Sequence, residues 1–256
     1  MPSLHLLSFA DRRYRGSLAR IRGEAGRLGL FASVHALDDR ALGDDYWRVH
    51  RDTVRAHRRG FGLWTWKPYL VRRTLATLPS GDVLLYCDAG CSLNAEGRQR
   101  LADYVDLAAG HSTGGLAFRL DGDVEAWTKR AALVAGRCDD PATRHERMVA
   151  ATAVLFVRGT PIERLVAEWE AAMADVALVD DTPSPQGEHP GFVAHRHDQS
   201  LFTLAALRHG LQTIPDETWW DGAWDRSRQH PIHARRWRHR LPWTQAWMRR
   251  GGWPRW

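Results

Sequence analysis

The chain has 256 residues, of which 44% are hydrophobic, 10% aromatic and 26% charged; this allows one substantial core and excludes a disordered chain or a mini-protein. The formal net charge is +6, which would favour a polyanion-binding protein if the charge were evenly spread. However, residues 226–256 contain nine Arg, no Lys and no acidic residue, which leaves 1–225 with a net charge of −3. We therefore divide the chain into one domain, 1–225, and a basic, aromatic C-terminal extension, 226–256.

Short β-prone runs alternate with helical patterns along 1–225, an order typical of an α/β domain built around a largely parallel sheet. The predicted strands cover 4–9, 29–36, 83–87, 115–119 and 153–157. The predicted helices cover 46–58, 68–78, a segment that starts at Thr160, and 199–209. In the helix at Thr160, the threonine would cap the N-terminus and Glu163 would reach back to it. Residues 180–191 are rich in Pro, Gly, Asp and Ser and predict a loop long enough to be functional.

The cysteines Cys87, Cys91 and Cys138 are too few and too unevenly spaced for a disulfide framework or a four-ligand zinc site, which favours a reducing compartment. We interpret them as small buried hydrophobic residues. The first ten residues lack the basic region and the cleavage site of a signal peptide, and no run approaches the roughly 18 to 20 apolar residues of a spanning helix. The sequence therefore predicts a cytoplasmic protein that could lie on the inner face of the cytoplasmic membrane.

Asp88 is the first candidate for chemistry, because it follows a predicted buried strand. Ligands of open α/β sheets gather at the carboxyl ends of the strands, where a carboxylate can bind a metal ion or a sugar hydroxyl. The alternative is that Asp88, followed by Ala89 and Gly90, only forms a turn.

The segment 195–200 (HRHDQS) is the second candidate, between the long loop and a predicted helix. Its imidazoles and carboxylate could ligate a divalent metal, and the helix N-terminus could attract phosphate. Alternatively, Asp198 is simply the N-cap of the helix.

The third candidate is 61–68 (FGLWTWKP), where large aromatic residues flank Lys67 before a predicted helix. Lys67 is one of two lysines in the chain, and an ammonium group there would suit a negatively charged ligand. Alternatively, Trp64 and Trp66 only pack on the sheet and Lys67 lies in solvent.

Taken together, four segments resemble a family of bacterial glycosyltransferase-like proteins with a GT-A fold. They are 59–68 (RGFGLWTWKP), 81–91 (GDVLLYCDAGC), 127–130 (WTKR) and 191–200 (GFVAHRHDQS). The resemblance runs from the first strand to about Asp216, and its most specific parts are Trp-x-Trp-Lys-Pro and His-Arg-His-Asp-Gln-Ser. It implies a Rossmann-like, mixed but mainly parallel sheet that holds a nucleotide-diphosphate sugar.

In this resemblance, Asp88 stands for the first acid of an Asp-x-Asp motif, but the third position is Gly90. A divalent metal, Mn²⁺ or Mg²⁺, would then be held by Asp88 with His197 or Asp198 as a further ligand. Alternatively, Lys67, Lys129 or Arg130 would neutralise the diphosphate without a metal, because this leaving group needs positive charge from some source.

The resemblance also implies which residues surround the donor. Asp198 and Gln199 match an Asp-Gln pair that many sugar transferases place beside the anomeric carbon, and they are assigned to the reaction centre. Asp198 would act as a base in an inverting enzyme, whereas in a retaining enzyme Asp198 or Gln199 would stabilise an oxocarbenium-like transition state. The residues expected to bind the donor are Ser8, Phe9, Trp66, Lys67, Asp88, Lys129 and Arg130.

The leading hypothesis is therefore a glycosyltransferase that moves a sugar from a nucleotide donor onto a cell-surface polysaccharide or lipopolysaccharide type of acceptor, free or lipid-linked. A non-catalytic nucleotide- or glycan-binding relative is the alternative, because the acidic motif is incomplete. The five Trp among the nine Arg of 226–256 suit an anionic membrane surface. Nucleic acid is less favoured, because 1–225 is slightly acidic and carries no nucleic-acid motif; a packed C-terminal subdomain remains a further alternative.

Overall fold

The computed structural model describes residues 2–220, 222 and 224–235 and confirms the α/β class. Within these residues the main sheet has seven strands, and a separate two-stranded ladder joins β4 to β9. The strands are β1 (Leu4–Phe9), β2 (Ser33–Leu37), β3 (Val83–Cys87), β4 (Ser92–Leu93), β5 (Gly115–Asp123), β6 (Arg147–Val149), β7 (Ala153–Val157), β8 (Gln212–Pro215) and β9 (Ile232–His233).

The main sheet is mixed and mainly parallel, as predicted. β1 pairs in parallel with β2 and β3, and β5 pairs in parallel with β8. β7 lies antiparallel between β3 and β5, and β6 is also antiparallel to β5. Five strands of this sheet therefore run in one direction, and the end of β3 lies beside the start of β7.

The helices cover both faces of the sheet. Helices of eight residues or more are α1 (Arg15–Leu28), α2 (Asp44–Ala56), α3 (Trp66–Ala76), α4 (Arg98–Gly110), α5 (Ile162–Met173) and α6 (Asp198–Arg208). Shorter helical segments cover Val124–Trp127, Arg130–Ala135, Pro141–Arg144, Val176–Val179 and Trp224–Ser227, and 3₁₀ turns cover Arg12–Tyr14, Asp39–Ala41 and Ala95–Gly97. α2, α3, α5 and α6 contribute to one hydrophobic core, and α1 and α4 contribute to the other.

The central strands β3 and β7 are buried along their whole length, as expected for continuous apolar runs between two helical layers. Side chains alternate between the faces of a strand. Leu84 and Tyr86 consequently face the core beneath α3 and α5, whereas Val83, Leu85 and Cys87 face the core beneath α1 and α4.

The predicted boundaries agree with the structure where apolar runs are continuous. The predictions for 4–9, 83–87 and 153–157 coincide with β1, β3 and β7, whereas β2 begins later than predicted and β5 continues to Asp123. The capping prediction for Thr160 was wrong. Its hydroxyl donates to the carbonyls of Val157 (2.8 Å) and Thr113 (3.2 Å), and α5 begins two residues later without a side-chain cap.

Part of the predicted C-terminal extension packs on the domain. β9 pairs with β4, and Asn94 donates to the carbonyls of Arg228 (2.6 Å) and His230 (3.0 Å). The rest of the extension, 236–256, lies outside the described residues, so its membrane contact stays a prediction. The three cysteines are free and buried, as predicted. Within the described ranges, no helix combines the length and apolarity needed to cross a membrane.

Candidate functional site

The candidate site begins at the turn that follows β3. The Asp88 N–H donates to the carbonyl of Thr152 (2.9 Å), and the Cys91 N–H donates to the carbonyl of Asp88 (2.9 Å). The backbone of Asp88 thus takes part in a turn, as one of the two sequence interpretations predicted. Since Asp88 follows Tyr86 by two positions, both side chains leave the same face of the sheet, and the Tyr86 hydroxyl donates to Asp88 Oδ1 (2.5 Å). The Asp88 side chain is 32% exposed.

Lys67 is the second residue of α3 and is only 3% exposed, so the sequence alternative that placed it in solvent was wrong. Its ammonium nitrogen lies 3.1 Å from the carbonyl of Ala151, 2.6 Å from Asp198 Oδ2 and 3.5 Å from Asp88 Oδ1. It also lies 5.2 Å from the centre of the Tyr86 ring. The carbonyl of Ala151 accepts a hydrogen bond from this ammonium group, whereas Asp198 and Asp88 contact it as ion pairs.

Asp198 is the first residue of α6, and the N-cap position belongs to His197, whose side chain makes no capping bond. The alternative that Asp198 is merely an N-cap was therefore wrong, and its carboxylate turns towards Lys67. Asp198 is 5% exposed. Burial raises its pKa above the ordinary value, although the Lys67 ammonium opposes that rise. Burial lowers the pKa of Lys67, but Asp198 and Asp88 outweigh burial and raise it overall.

The backbone next to Asp198 is strained. His197 has φ 52° and ψ −121°, a conformation that favours glycine and persists in other residues where the surroundings impose it, often at functional sites. Its ring Nδ1 donates to the carbonyl of Val179 (2.8 Å). Its buried Nε2 makes no hydrogen bond to the described residues and lies 3.8 Å from Asp181 Oδ1. The Trp64 ring lies 5.8 Å from the His197 ring.

Trp64 ends a left-handed turn, which Gly60–Leu63 begin. The positive φ values are 59° at Gly60, 52° at Phe61, 83° at Gly62, 57° at Leu63 and 62° at Trp64. The indole N–H of Trp66 donates to the carbonyl of Gly60 (2.9 Å), which ties Trp66 to the first residue of the turn. The Arg59 guanidinium lies 5.7 Å from the Trp64 ring. Trp64 thus lies near both Arg59 and His197, the residue before Asp198.

Two of the basic residues predicted to bind the donor have other partners. Lys129 is buried, and its ammonium donates to the carbonyls of Ala177 (2.7 Å) and Asp180 (3.2 Å) and pairs with Asp180 Oδ1 (3.2 Å). Arg130 Nε pairs with Asp139 (3.2 Å), and its backbone N–H donates to Glu188 (2.7 Å). Both residues fasten the loop 180–191, whereas Lys67 is the lysine that lies between Asp88 and Asp198.

The other residues predicted to bind the donor or to act in the reaction differ in how deeply they are buried. Phe9, at the end of β1, is buried and stacks on buried Trp66, with ring centres 4.0 Å apart. Ser8 is buried, and its hydroxyl has no hydrogen-bond partner in the described part of the chain. Gln199 is half-buried beside Asp198. The side chains that meet at one point are therefore Lys67, Asp88 and Asp198, with His197 adjacent through the chain.

Three residues around the candidate site were not identified by the sequence analysis. Tyr86 could have been found, because its position two residues before Asp88 places both on one face of β3. Trp64 lies in the motif 61–68, whose aromatic residues could wall a pocket or pack on the sheet, but it was not named among the site residues. Arg20 gives no local signal, although its guanidinium donates from α1 to the carbonyls of Ala89 (2.8 Å) and Cys91 (2.7 Å) and so holds the turn after Asp88.

The predicted metal ligands do not form a ready metal site. In residues 2–220, 222 and 224–235, no three His, Cys, Asp or Glu side chains come together in a way that could hold a metal ion. Asp88 and Asp198 instead share the Lys67 ammonium. Two carboxylates and one ammonium leave this cluster with one net negative charge.

Comparison with known proteins gives only distant structural likeness. No protein-family model matches the chain, and no curated protein matches it. A glycosyltransferase involved in the glycosylation of the major capsid of PBCV-1 is similar over 91% of this chain and 94% of that chain, at 9% identity and a TM-score of 0.49. Mouse xyloside xylosyltransferase 1 in its apo form is similar over 91% of this chain and 97% of that chain, at 13% identity and a TM-score of 0.48.

Proposed function

We propose that the protein is a glycosyltransferase that moves a sugar from a nucleotide-diphosphate donor to a hydroxyl of a glycan acceptor. The observation that carries this proposal is the cluster of buried Asp198 and Lys67 with partly exposed Asp88, which lies at the carboxyl end of β3. Open α/β sheets bind ligands at this edge. The resemblance of 59–68 and 191–200 to bacterial glycosyltransferase-like proteins points to the same chemistry.

Asp198 is the residue to which we assign the reaction centre, together with Gln199. Sugar transfer breaks the bond between the anomeric carbon and the diphosphate oxygen and forms a bond to the acceptor oxygen, which loses its proton. An Asp198 carboxylate can accept that proton or face the positive charge that develops on the sugar ring. Lys67 supports the ionised state of Asp198, because the pair lies 2.6 Å apart in a buried setting.

Asp88 is the exposed acid of the cluster, and we assign it to hydroxyl groups of the donor. Its carboxylate is one-third exposed and is oriented by the Tyr86 hydroxyl. An oriented carboxylate is a strong acceptor for a sugar or ribose hydroxyl. Ser8 and Phe9, at the end of the neighbouring strand β1, are the proposed border of the nucleotide.

The acceptor that we propose is a cell-surface polysaccharide or lipopolysaccharide type of glycan, reached from the cytoplasmic side of the membrane. The basic extension 226–256 supports this proposal, because its Arg and Trp composition suits an anionic membrane surface.

The test is a donor screen with purified protein against UDP, GDP and dTDP sugars, with CMP sugars as monophosphate donors for comparison, measuring thermal stabilisation and release of the nucleotide. We expect one nucleotide class to bind and to be released slowly in the absence of acceptor. Asp198→Asn should lower release by about 100-fold or more, as loss of a group that acts on the proton or charge in the transition state does.

The matched control is Asp106→Asn, which changes an exposed carboxylate on α4 and should leave release unchanged. Binding without turnover in the wild type would favour the non-catalytic relative. No binding to any member of the panel would contradict the proposed function.

A further inference from the structure

The protonated Lys67 side chain occupies the position between two carboxylates that a divalent cation would need. Its nitrogen has oxygen neighbours on three sides, Ala151 O, Asp198 Oδ2 and Asp88 Oδ1. The side chain is almost wholly buried and comes from a helix start, where Trp66 and Pro68 on either side are also buried. This cation is therefore a fixed part of the fold.

The residues present do not fit a divalent metal at this place. Mn²⁺ and Mg²⁺ need several oxygen ligands at close range, but Asp198 Oδ2 is 2.6 Å from the ammonium and Asp88 Oδ1 is 2.5 Å from the Tyr86 hydroxyl. A metal ion held by the same two carboxylates would also lie close to a buried like charge, which is costly where water is excluded. His197 Nε2 has no hydrogen-bond partner among the described residues, but His197, Asp88 and Asp198 do not come together as a group that could hold a metal ion.

We propose that Lys67 takes the place of the divalent cation, so that the protein binds its nucleotide donor without a metal. This inference rests on the proposed function. Lys67 neutralises one of the two carboxylates and keeps both in position. A divalent metal bound between two carboxylates would do the same.

The diphosphate must then find positive charge at the rim of the site. Two exposed arginines lie near His197, the residue before Asp198. The Arg59 guanidinium is 5.7 Å from the Trp64 ring, which is 5.8 Å from the His197 ring, and Arg196 directly precedes His197, with its guanidinium 3.9 Å from the centre of the Trp127 ring. Arginine binds phosphate oxygens in a bidentate manner and needs no metal to do so.

The first experiment uses the wild-type chain. A nucleoside diphosphate from the class found in the donor screen is titrated by calorimetry in EDTA, in Mn²⁺ and in Mg²⁺, and release of nucleotide from the sugar donor is measured under the same conditions. We expect affinity and release rate to differ by less than about twofold, which corresponds to about 0.4 kcal/mol.

The second experiment replaces the Lys67 side chain. Lys67→Met removes the charge and leaves Asp88 and Asp198 facing each other, so we expect the variant to bind Mn²⁺, measured by loss of the free-ion signal in electron paramagnetic resonance. The wild type should bind none at the same site. Lys129→Met is the matched control, because that buried lysine pairs with the single carboxylate of Asp180 and its loss leaves no acidic pair.

The outcomes separate the two proposals. A requirement for Mn²⁺ or Mg²⁺ worth about tenfold or more in wild-type affinity would overturn the inference and leave the proposed function standing. A folded Lys67→Met variant that binds no more Mn²⁺ than Lys129→Met would also overturn it. Failure to bind any nucleotide, with or without metal, would contradict the proposed function itself. The wild-type titrations decide the matter even where Lys67→Met does not fold.

Discussion

At the scale of single residues, the cluster of Lys67, Asp88 and Asp198 is costly to maintain. Charges taken out of water lose more hydration energy than a pair of them commonly regains, so a buried ion pair is weak evidence for stability. The strained backbone of His197, next to Asp198, adds a further cost. A fold that carries two such costs at one sheet edge is better explained by chemistry at that edge than by stability.

Arg20 is a positioning residue for Asp88 and supplies a test of this view. Its guanidinium binds both oxygens of Glu24 at 2.9 Å as well as the carbonyls of Ala89 and Cys91. Lysine cannot reproduce this planar fork. Arg20→Lys should therefore lower kcat for nucleotide release by about tenfold, since small displacements of a residue that positions the substrate are costly.

The control for Arg20 is Arg22→Lys, which changes an exposed residue of the same helix and should leave kcat and thermal stability unchanged. A purely structural role for Arg20 would lower the melting temperature without changing kcat of the folded fraction. That result would contradict the positioning role.

The main acids and the lysine could be predicted because each has a local signal. Asp88 follows an apolar strand, and Lys67 and Asp198 stand at helix starts. The partners of buried cations could not be predicted in this way. Lys67 and Lys129 both precede or begin helices in motifs with aromatic neighbours, yet one meets an acidic pair and the other meets Asp180 and two carbonyls. That difference depends on tertiary packing between segments that are distant in sequence.

At the scale of elements, the left-handed turn that Gly60–Leu63 begin is the feature that local propensity does not explain. Side chains other than glycine cost roughly 1 to 2 kcal/mol per residue in this conformation, and Phe61, Leu63 and Trp64 all adopt it. Phe61 packs near Phe9, with ring centres 6.0 Å apart, and Leu63 is buried. Packing in the core thus offsets the local cost and holds Trp64 beside His197.

Gly62 tests how tightly this turn is held. It has φ 83°, and an added Cβ would lie 2.6 Å from Val54 Cγ2 and 3.1 Å from Val54 Cα. Gly81, in the turn before β3, has φ 88° but open space around an added Cβ. Gly81→Ala should therefore lower the free energy of unfolding by about 1 kcal/mol through φ alone, measured by urea denaturation.

Gly62→Ala should cost at least about twice as much, because the clash with α2 adds to the backbone cost. It should also lower donor turnover, whereas Gly81→Ala retains it. Equal losses of stability for the two variants would show that α2 moves aside freely, and would contradict a rigid turn.

Strand boundaries were easier to predict than helix starts, because an apolar run is visible in the sequence and a contact with a distant segment is not. β3 and β7 are continuous apolar runs buried on both faces, and such runs are visible in the sequence. The start of α5 depends on Thr160, whose hydroxyl can donate to a carbonyl or accept from an N–H. In the structure it donates to the carbonyls of Val157 and Thr113, and Thr113 is more than 40 residues away in the chain.

At the scale of the whole molecule, two buried histidines couple folding to pH. His195 Nε2 donates to the carbonyl of Leu178 (2.9 Å), and its Nδ1 accepts the N–H of Lys129 (3.2 Å). His233 Nε2 donates to the carbonyl of Ser227 (2.8 Å). Burial lowers the pKa of His195 to about 3 and that of His233 to about 4. Both rings are therefore neutral in the folded chain at pH values where the unfolded chain binds a proton on each.

The free energy of unfolding should consequently fall as the pH is lowered below about 6.5, where free histidine titrates. Between that value and pH 4, the unfolded state binds more protons than the folded state, so each histidine contributes a slope of up to about 1.4 kcal/mol per pH unit.

Urea denaturation at several pH values from 7 to about 5 tests this pH dependence, in a window above the range where ordinary carboxylates titrate. His195→Gln should lower the slope by up to about 1.4 kcal/mol per pH unit, the share of one histidine, because the amide can still donate to Leu178 without binding a proton. His145→Gln, at an exposed position, should leave the slope as in the wild type. A wild-type stability that does not change over this window would contradict the neutral, buried state of both rings.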